Sequence, residues 1–484
     1  MSVYLGIDIG TTSTKCLAVG EEGSVLAFAQ HPYVLSHPKQ GWAEQDPEDF
    51  WTALIDVVRR CVTDLESQGR SSGDVVSLAL STQGDTLLMV DETGSPLAPS
   101  ISWMDGRADE EYAELLAETG SSYWYRTIGQ PLTHLSSACK VRWLAKNRPE
   151  LLGPNSRPAW VADFLAKRLI GEFAADVSSA SWTPFFSPTR REWSREVADL
   201  LGIRSDDLPV TAESGSVLGE LLPESAEALG LGAGTVLVAG AFDQSAAAHG
   251  AGASVGGKSV LSCGTAWVLY SVSSRPIDDP EERLCVCCHV GGESGNGAPE
   301  WGLVLPFTGG SAYDWLARTT GESDGAASDS DPPIFIPHLY GGLSPDWRSE
   351  SRGSLLGLTM AHTREDIRLA MMRGIACEAR RNLEAAEPLV GRVESVRMVG
   401  GAGKSEVWPR IIADVLGRRV EVSGLLESAC LGVARLAAGQ VSSTWSDTVA
   451  LRLYVPTPEG IAAEARFYDR YVAVYEALLR VYGA

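Results

Sequence analysis

The sequence predicts an α/β protein of two or three domains, with a hint of one unit used twice. Three observations carry this. The chain has 484 residues, and domains average about 150. Apolar β-branched runs alternate with stretches of helical period along its whole length. One opening also recurs: a strand, a small-residue turn and an antiparallel partner strand, first over 3–19 and again over 257–272.

The elements follow in order. Residues 3–9 are apolar and β-branched, and Gly10 breaks the run. Residues 14–19 and 24–30 continue the period of two around the turn Gly20-Glu21-Glu22-Gly23, giving a meander. Asp46-Pro47-Glu48 starts a helix, with a capping acid, Pro at its first position and an acid in its first turn. Phe50, Leu54 and Val58 mark that helix's buried face. Strands are expected at 75–80 and 86–90, and mainly helix over 135–169, interrupted around 149–158. Residues 236–240 form an apolar strand, and 259–262 and 267–272 a second meander around Cys263-Gly264-Thr265. The low-complexity stretch 319–333 reads as an exposed loop. Thr363 caps a long helix to 389, a strand at 393–399 feeds Gly400-Gly401-Ala402-Gly403, and a helix covers 405–416.

Composition narrows the function classes. With 40 basic and 62 acidic residues the formal charge is −22. Such a field repels nucleic acid and anionic membrane. It tolerates a phosphate ligand wherever amides, a helix N-terminus and Mg²⁺ screen it locally. Apolar content of 44% and charged content of 21% are ordinary for a globular chain. The first ten residues lack the basic flank and cleavage site of a signal peptide. No apolar run reaches the roughly 18–20 residues of a membrane span. The nine cysteines are therefore expected to be reduced thiols in the cytoplasm. Cys285, Cys287, Cys288 and His289 invite a metal reading, but no second Cys/His couple follows at suitable spacing. Their alternation favours a plain buried strand.

Four segments could carry chemistry. In Asp8-Ile9-Gly10-Thr11-Thr12-Ser13-Thr14-Lys15 an acid at a strand end could hold Mg²⁺, and the Gly/Thr turn could donate to phosphate oxygens; an ordinary hairpin is the alternative. Ser262-Cys263-Gly264-Thr265 offers a similar turn in the second half. Gly400-Gly401-Ala402-Gly403-Lys404-Ser405 fails the Walker A spacing because Met398 stands where the first glycine belongs. It could still pack a flat base or ribose, or be a tight turn. Asp243 follows a strand in a small-residue loop, a place for a general base; taken alone it is one of 62 acids.

Together these segments resemble the FGGY family of carbohydrate kinases, from about residue 3 to 440. GIDIGTTSTK resembles the family's phosphate loop, Gly41-Trp42-Ala43-Glu44-Gln45-Asp46-Pro47 its GWxEQDP element, and Trp103-Met104-Asp105-Gly106-Arg107 its WxDxR. Residues 337–358 resemble the PYLxGERxP…ARGxFxGL stretch, with Gly342-Leu343 replacing Glu-Arg, and 399–416 the adenine-side GGGxKSxxWxQIxADVL.

The resemblance implies two ribonuclease-H-like domains of the actin and hexokinase type around a central cleft. Residues 1–245 would form the sugar and phosphate side and 246–484 the nucleotide side. ATP and Mg²⁺ would be the cofactors. Asp8 would serve the metal, and Gly10, Thr11, Thr12, Ser13 and Lys15 the phosphates, met from the other side by Gly264 and Thr265. Gly400, Gly401, Ala402 and Ser405 would hold the adenosine. Asp243 would be the catalytic base, and Gln83, Gly84, Asp85, Trp103, Asp105 and Gln244 would meet the sugar.

The sugar is less defined. Xylulokinases show QMHG where this chain has Gln83-Gly84-Asp85-Thr86, and glycerol kinases show Gln-Arg-Glu-Thr. Gln244 also follows glycerol kinases, whereas GWAEQDP looks like the xylulokinase side. A ketopentose such as xylulose is favoured, with a polyol or another ketose as alternative. An actin-type ATPase switch is the reading from another class. Expected partners are the sugar and ATP, not nucleic acid or membrane, with a homodimer left open. Trp42 is divided between sugar stacking and core packing, and Asp105 with Arg107 between pocket wall and structural pair. His134, near the expected sugar pocket, is read as a surface or helix-start residue, and His249 as structural.

Overall fold

The computed structural model describes residues 2–252, 258–290, 299–321, 326–328, 330–424, 427–439 and 451–483. The first sheet is built on strands β1 (Val3–Ile9), β2 (Ser13–Gly20), β3 (Val25–Pro32), β4 (Val75–Thr82) and β5 (Val236–Phe242). Helix α1 (Pro47–Ser67) crosses from β3 to β4, and α2 (Asp243–Gly250) follows β5. The second sheet is built on β6 (Lys258–Cys263), β7 (Ala266–Ser273), β8 (Trp301–Thr308), β9 (Ser395–Gly400) and β10 (Arg419–Ser423). Helices α3 (Arg364–Val390), α4 (Val407–Leu416) and α5 (Ser428–Ala437) belong to this half, with Gly310–Thr320 and Pro458–Tyr482 beside them.

The two sheets share one plan. The first runs β5-β4-β1-β2-β3, with Val217–Glu220 beyond β5. The second runs β8-β7-β6-β9-β10, with edge strands Cys285–Cys288 and Leu451–Tyr454. In each, three antiparallel strands are followed by two parallel ones. The recurring meander seen in the sequence is thus a recurring sheet order. Gly257 lies outside the described residues, and the second meander starts at Lys258.

Local chemistry explains the joints. Asp46 accepts the backbone N–H of Glu48 at 3.0 Å, Pro47 occupies the first helical position, and Phe50, Leu54, Val57, Val58 and Cys61 bury the inner face of α1. Thr363 and Asp366 cap α3 reciprocally. The halves meet where α5 lies on β1 and α2. A Cβ at Gly432 would sit 2.0 Å from Ala246 O, at Gly250 1.9 Å from Ser428 O, and at Gly6 1.9 Å from Cys430 O. Only glycine lets these backbones approach so closely. This contact brings the carboxyl ends of both sets of parallel strands together.

Two expectations change. The stretch 135–169 is two helices, Ser137–Asn147 and Val161–Ile170, separated by the strand Ser156–Trp160. That strand joins Ser100–Ile101 and Leu87–Asp91, which also lie between β4 and β5, and Glu44–Gln45, which lies between β3 and α1, in a four-stranded sheet. The expected interruption around 149–158 is present, and what changes is that it ends in a strand, Arg157, Pro158 and Ala159 pairing along Leu88–Val90. Thr319 and Thr320 end the helix Gly310–Thr320 rather than opening a loop. Of the loop expected at 319–333, residues 322–325 and 329 lie outside the described ones.

Candidate active site

Parallel register assembles the acids. Asp8 pairs with Ser81, Ile9 with Thr82, and Phe242 also with Thr82. Gly10, Gln83 and Asp243 therefore leave the sheet side by side, at the carboxyl ends where open α/β sheets bind ligands. Ser81 Oγ donates to Asp8 Oδ1 at 2.8 Å, while burial pushes the Asp8 carboxyl upward. Burial, then the charge of Asp8, push Asp243 up to about 7, and hydrogen bonds from Gln244 pull it partly back. Asp243 Oδ1 is buried and has no donor among the described residues.

The loop after β1 is held by a directional chain. Gln45 Nε2 donates to Thr11 O at 2.8 Å, and Gln83 Nε2 donates to Gln45 Oε1 at 3.0 Å. A carbonyl can only accept, so Gln45 must point its amide nitrogen at Thr11, and Gln83 must in turn donate. This leaves Gln83 Oε1 buried without a donor among the described residues. Trp103 Nε1 donates to Thr11 Oγ1 at 3.0 Å. Thr12 is exposed, whereas Ser13 is buried in β2 and accepts from Gln30 Nε2 at 3.0 Å. Lys15 pairs with Glu427 across the two halves at 2.7 Å.

In the second half Gly264 and Thr265 are exposed at the β6–β7 turn. Thr265 O accepts from Ser311 N at 2.9 Å, and a Cβ at Gly310 would lie 2.3 Å from Gly264 O. The N-terminus of helix Gly310–Thr320 thus abuts that turn. Gly400 has φ +96° and pairs with Cys263, whose carbonyl a Cβ would approach to 2.7 Å. Gly401 faces open space and Ala402 follows in the same turn. Ser405 Oγ accepts from Val407 N at 3.1 Å and Trp408 N at 3.3 Å, so its hydroxyl starts α4 rather than facing the turn.

The segment after β4 departs from expectation. Asp85 takes a φ of +55°, accepts Ser137 N at 2.8 Å and binds Ser137 Oγ with its other oxygen. Burial pushes it up to about 6, opposed by the nearby Lys140 ammonium. Lys140 is fully buried and donates to Ser102 O at 2.8 Å. Asp105 was expected at the sugar but is 0% exposed. Its oxygens accept Ala43 N at 2.6 Å, Arg107 N at 3.0 Å, Arg107 Nε at 2.8 Å and Arg107 Nη2 at 2.8 Å. A carboxylate so filled has nothing left for a substrate, and its work is to hold the Trp42–Glu44 loop. Arg107 also reaches Glu44 at 2.7 Å and lies 3.7 Å from the centre of the Trp42 ring. Trp42 sits edge to face on Trp143 at 5.4 Å, a packed wall residue.

Models of the FGGY family of carbohydrate kinases match twice, the N-terminal domain over residues 3–250 and the C-terminal domain over 259–441. The chain belongs to the FGGY family. It is an ATP-dependent carbohydrate kinase, a phosphotransferase with an alcohol acceptor, on the two-domain actin and hexokinase type of fold around a cleft. It is 30% identical to the xylulose kinase of Escherichia coli (strain K12), covering 99% of this chain and 98% of that one. It is 28% identical to the gluconokinase of Bacillus subtilis (strain 168), covering 91% and 89%. The solved xylulose kinase of Rhodospirillum rubrum superposes with a TM-score of 0.89 at 26% identity, covering 100% of both chains.

Several residues of this kinase's site gave no sequence signal of their own. Ser81 is one hydroxyl in a strand, and its bond to Asp8 needs the β1–β4 register. Gln45 lies within the GWxEQDP match, but its role as a relay between Thr11 and Gln83 needs three elements to meet. Ser137, the partner of Asp85, comes from the region between β4 and β5 and is one hydroxyl at a helix start. The lone candidates take bland places. His134 sits 6.3 Å from the Tyr112 ring, and His249 is buried, pushed down to about 3 by burial and the Arg435 charge. Cys285–Cys288 is a buried strand, and no group of three or more metal-ligating side chains occurs among the described residues. No helix among the described residues is long and apolar enough to cross a membrane.

Proposed function

We propose that this kinase transfers the γ-phosphate of ATP to a hydroxyl of a ketopentose, xylulose being the first candidate. The observation that carries the reading is Asp243: a half-buried acid with one buried, unpartnered oxygen, raised to about 7, beside the segment that begins with Gln83. A sugar hydroxyl is a weak nucleophile. Asp243 would accept its proton and aim its oxygen at the γ-phosphate, the task of a positioned general base. Gln83 and Gln244 would accept neighbouring hydroxyls through their free Oε1 atoms. Residues 1–245 would carry the sugar and residues 246–484 the nucleotide. Amides and hydroxyls of Gly10, Thr11 and Thr12 would face the phosphates from one side and Gly264 and Thr265 from the other. Gly400, Gly401 and Ala402 would seat the adenosine, where the absence of a side chain at 401 leaves open space.

Asp8 fits a Mg²⁺ ion. Its carboxyl is raised by burial and lies close enough to Asp243 to raise that group too, a strain that a cation would relieve. Mg²⁺ commonly binds one or two carboxylates together with substrate phosphates and water, so one protein acid suffices. When bound it would neutralise charge developing on the transferred phosphoryl group. A cytoplasmic setting is supported by nine free, buried cysteines.

The test is a panel of pentuloses, hexuloses, glycerol, tetritols and gluconate in a coupled ADP-release assay with Mg-ATP. The highest kcat/KM is expected for a ketopentose. A higher value for gluconate or glycerol would replace the ketopentose reading with that substrate.

A further inference from the structure

Position 84 has no side chain, and the structure shows what fills the room. A Cβ there would lie 1.9 Å from Trp182 Cδ1, 2.7 Å from Trp182 Nε1 and 2.7 Å from Phe242 Cε2. Trp182 stacks on Phe242 with centroids 4.5 Å apart and planes 14° from parallel. Phe242 is the residue before Asp243. An indole therefore lies against the segment beside the base, delivered from a separate element.

That element is anchored for the purpose. Trp182 closes the short helix Val177–Ser181, which Asp176 caps by accepting Ser179 N at 2.7 Å. Ser178 Oγ accepts Phe242 N at 3.3 Å and ties the helix to the end of β5. Trp182 N donates to Ser179 O at 3.2 Å. The side chain is half-buried, and its Nε1–H has no acceptor among the described residues. Indoles that are partly covered normally find an acceptor for this donor.

We propose that Trp182 is a specificity-determining residue of the acceptor site, giving it one aromatic surface and one donor beside a set of acceptors. This rests on reading Asp243 and the Gln83 segment as that site. The acceptors are Asp243 Oδ1, Gln83 Oε1 and Gln244 Oε1, all buried without a donor among the described residues. Such a lining selects an uncharged chain that brings hydroxyl protons to the oxygens and a C–H face to the indole. A carboxylate brings neither a proton nor a counter-ion. A three-carbon polyol would satisfy the oxygens and leave most of the ring uncovered. The substrate class is a neutral ketose of about five or six carbons, with selectivity over glycerol arising at Trp182.

The experiment compares kcat and KM for xylulose, glycerol, gluconate and ATP in the full chain and in Trp182→Ala, Trp182→Phe, Gly84→Ala, Gly84→Ala/Trp182→Ala and Asp243→Asn, with Tm measured for each. Trp182→Ala should raise the KM for xylulose and narrow the xylulose-to-glycerol ratio of kcat/KM by roughly 10- to 200-fold, the range of one pocket contact. The KM for ATP should stay unchanged. Trp182→Phe should keep most of the ratio. Gly84→Ala should lose activity through the clash, and Gly84→Ala/Trp182→Ala should recover part of it. An unchanged ratio in Trp182→Ala, beside an impaired Asp243→Asn, would overturn the role of Trp182 alone. If Trp182→Ala does not fold, a fall in the ratio without a fall in Tm for Trp182→Phe supports the role, and an unchanged ratio overturns it. Wild-type turnover by Asp243→Asn would instead overturn the underlying site.

Discussion

Asp8 and Asp243 stand at the carboxyl ends of β1 and β5, with β4 between them, and they share one field. Burial, and next the charge of Asp8, hold Asp243 at about 7. An ordinary aspartate would be fully ionised at that pH but a feeble proton acceptor. A base poised near the working pH combines availability with strength.

The pH profile follows directly. Below about 7 the Asp243 carboxyl holds its proton and cannot take one from the sugar. kcat/KM should therefore rise with pH through a limb that burial holds above the ordinary aspartate range, at or below about 7 once Mg²⁺ screens Asp8, and level off above it. Asp243→Asn should lower kcat by roughly 10²- to 10⁴-fold and remove that limb. A wild-type limb near pH 4 would mean that burial does not govern the group.

Asp8 should act on ATP and not on the sugar. Asp8→Ala should cut turnover of every sugar on the panel to a small residual rate by the same factor, and raising Mg²⁺ should not restore it. Discrimination between sugars in the residual rate should match the wild type. A variant impaired for one sugar only would move Asp8 into the acceptor pocket.

The parts legible in the sequence are those with local signals. The meander 3–19, the capped starts of α1 and α3, and the glycine turns at 264 and 400 are written in neighbouring residues. Family motifs then placed Asp8, Gln83 and Asp243, which the sheet register brings together. Partners distant in sequence were not legible. Asp105 lies two residues from Arg107, yet its saturation depends on Ala43, 62 residues away. Lys15 pairs with Glu427, 412 residues on, a contact that no local signal announces. The break around 149–158 was legible, but that it ends in the strand Ser156–Trp160 depends on pairing with Leu87–Asp91.

Asp163 should make stability depend on pH. It is buried, its Oδ1 accepts Trp160 N at 2.9 Å, and burial raises it from 3.8 to about 7. A carboxyl whose folded pKa is raised binds its proton more tightly when folded. Its contribution is complete below about pH 4 and is lost as pH rises through about 7. Asp163→Asn keeps the acceptor for Trp160 and removes the titration. The fall in Tm between pH 5 and pH 8 should be smaller in this variant than in the wild type. Equal slopes in thermal melts would show that Asp163 ionises without cost.

The last prediction concerns how Asp85 acts. Both its oxygens bind Ser137, at the first turn of the helix Ser137–Asn147, and the buried Lys140 lies one turn further on. A carboxylate so engaged works through the helix it holds. Asp85→Asn keeps the shape but loses charge and one acceptor, leaving the Lys140 cation less compensated. Ser137→Ala removes a donor from the same pair without touching Asp85. If Asp85 is a positioning residue, both variants should lower kcat/KM for the sugar, by about 10-fold for one lost buried hydrogen bond. Both should also lower Tm, and neither should alter the KM for ATP. If Asp85 reads a sugar hydroxyl directly, the result splits. Asp85→Asn would then lose discrimination against the matching deoxy sugar at unchanged Tm, while Ser137→Ala would retain it. Kinetics with the preferred sugar and its deoxy analogues, beside melts of both variants, separate the two. The double hold on Ser137 favours the shared loss, because both oxygens of Asp85 are aimed at that one residue.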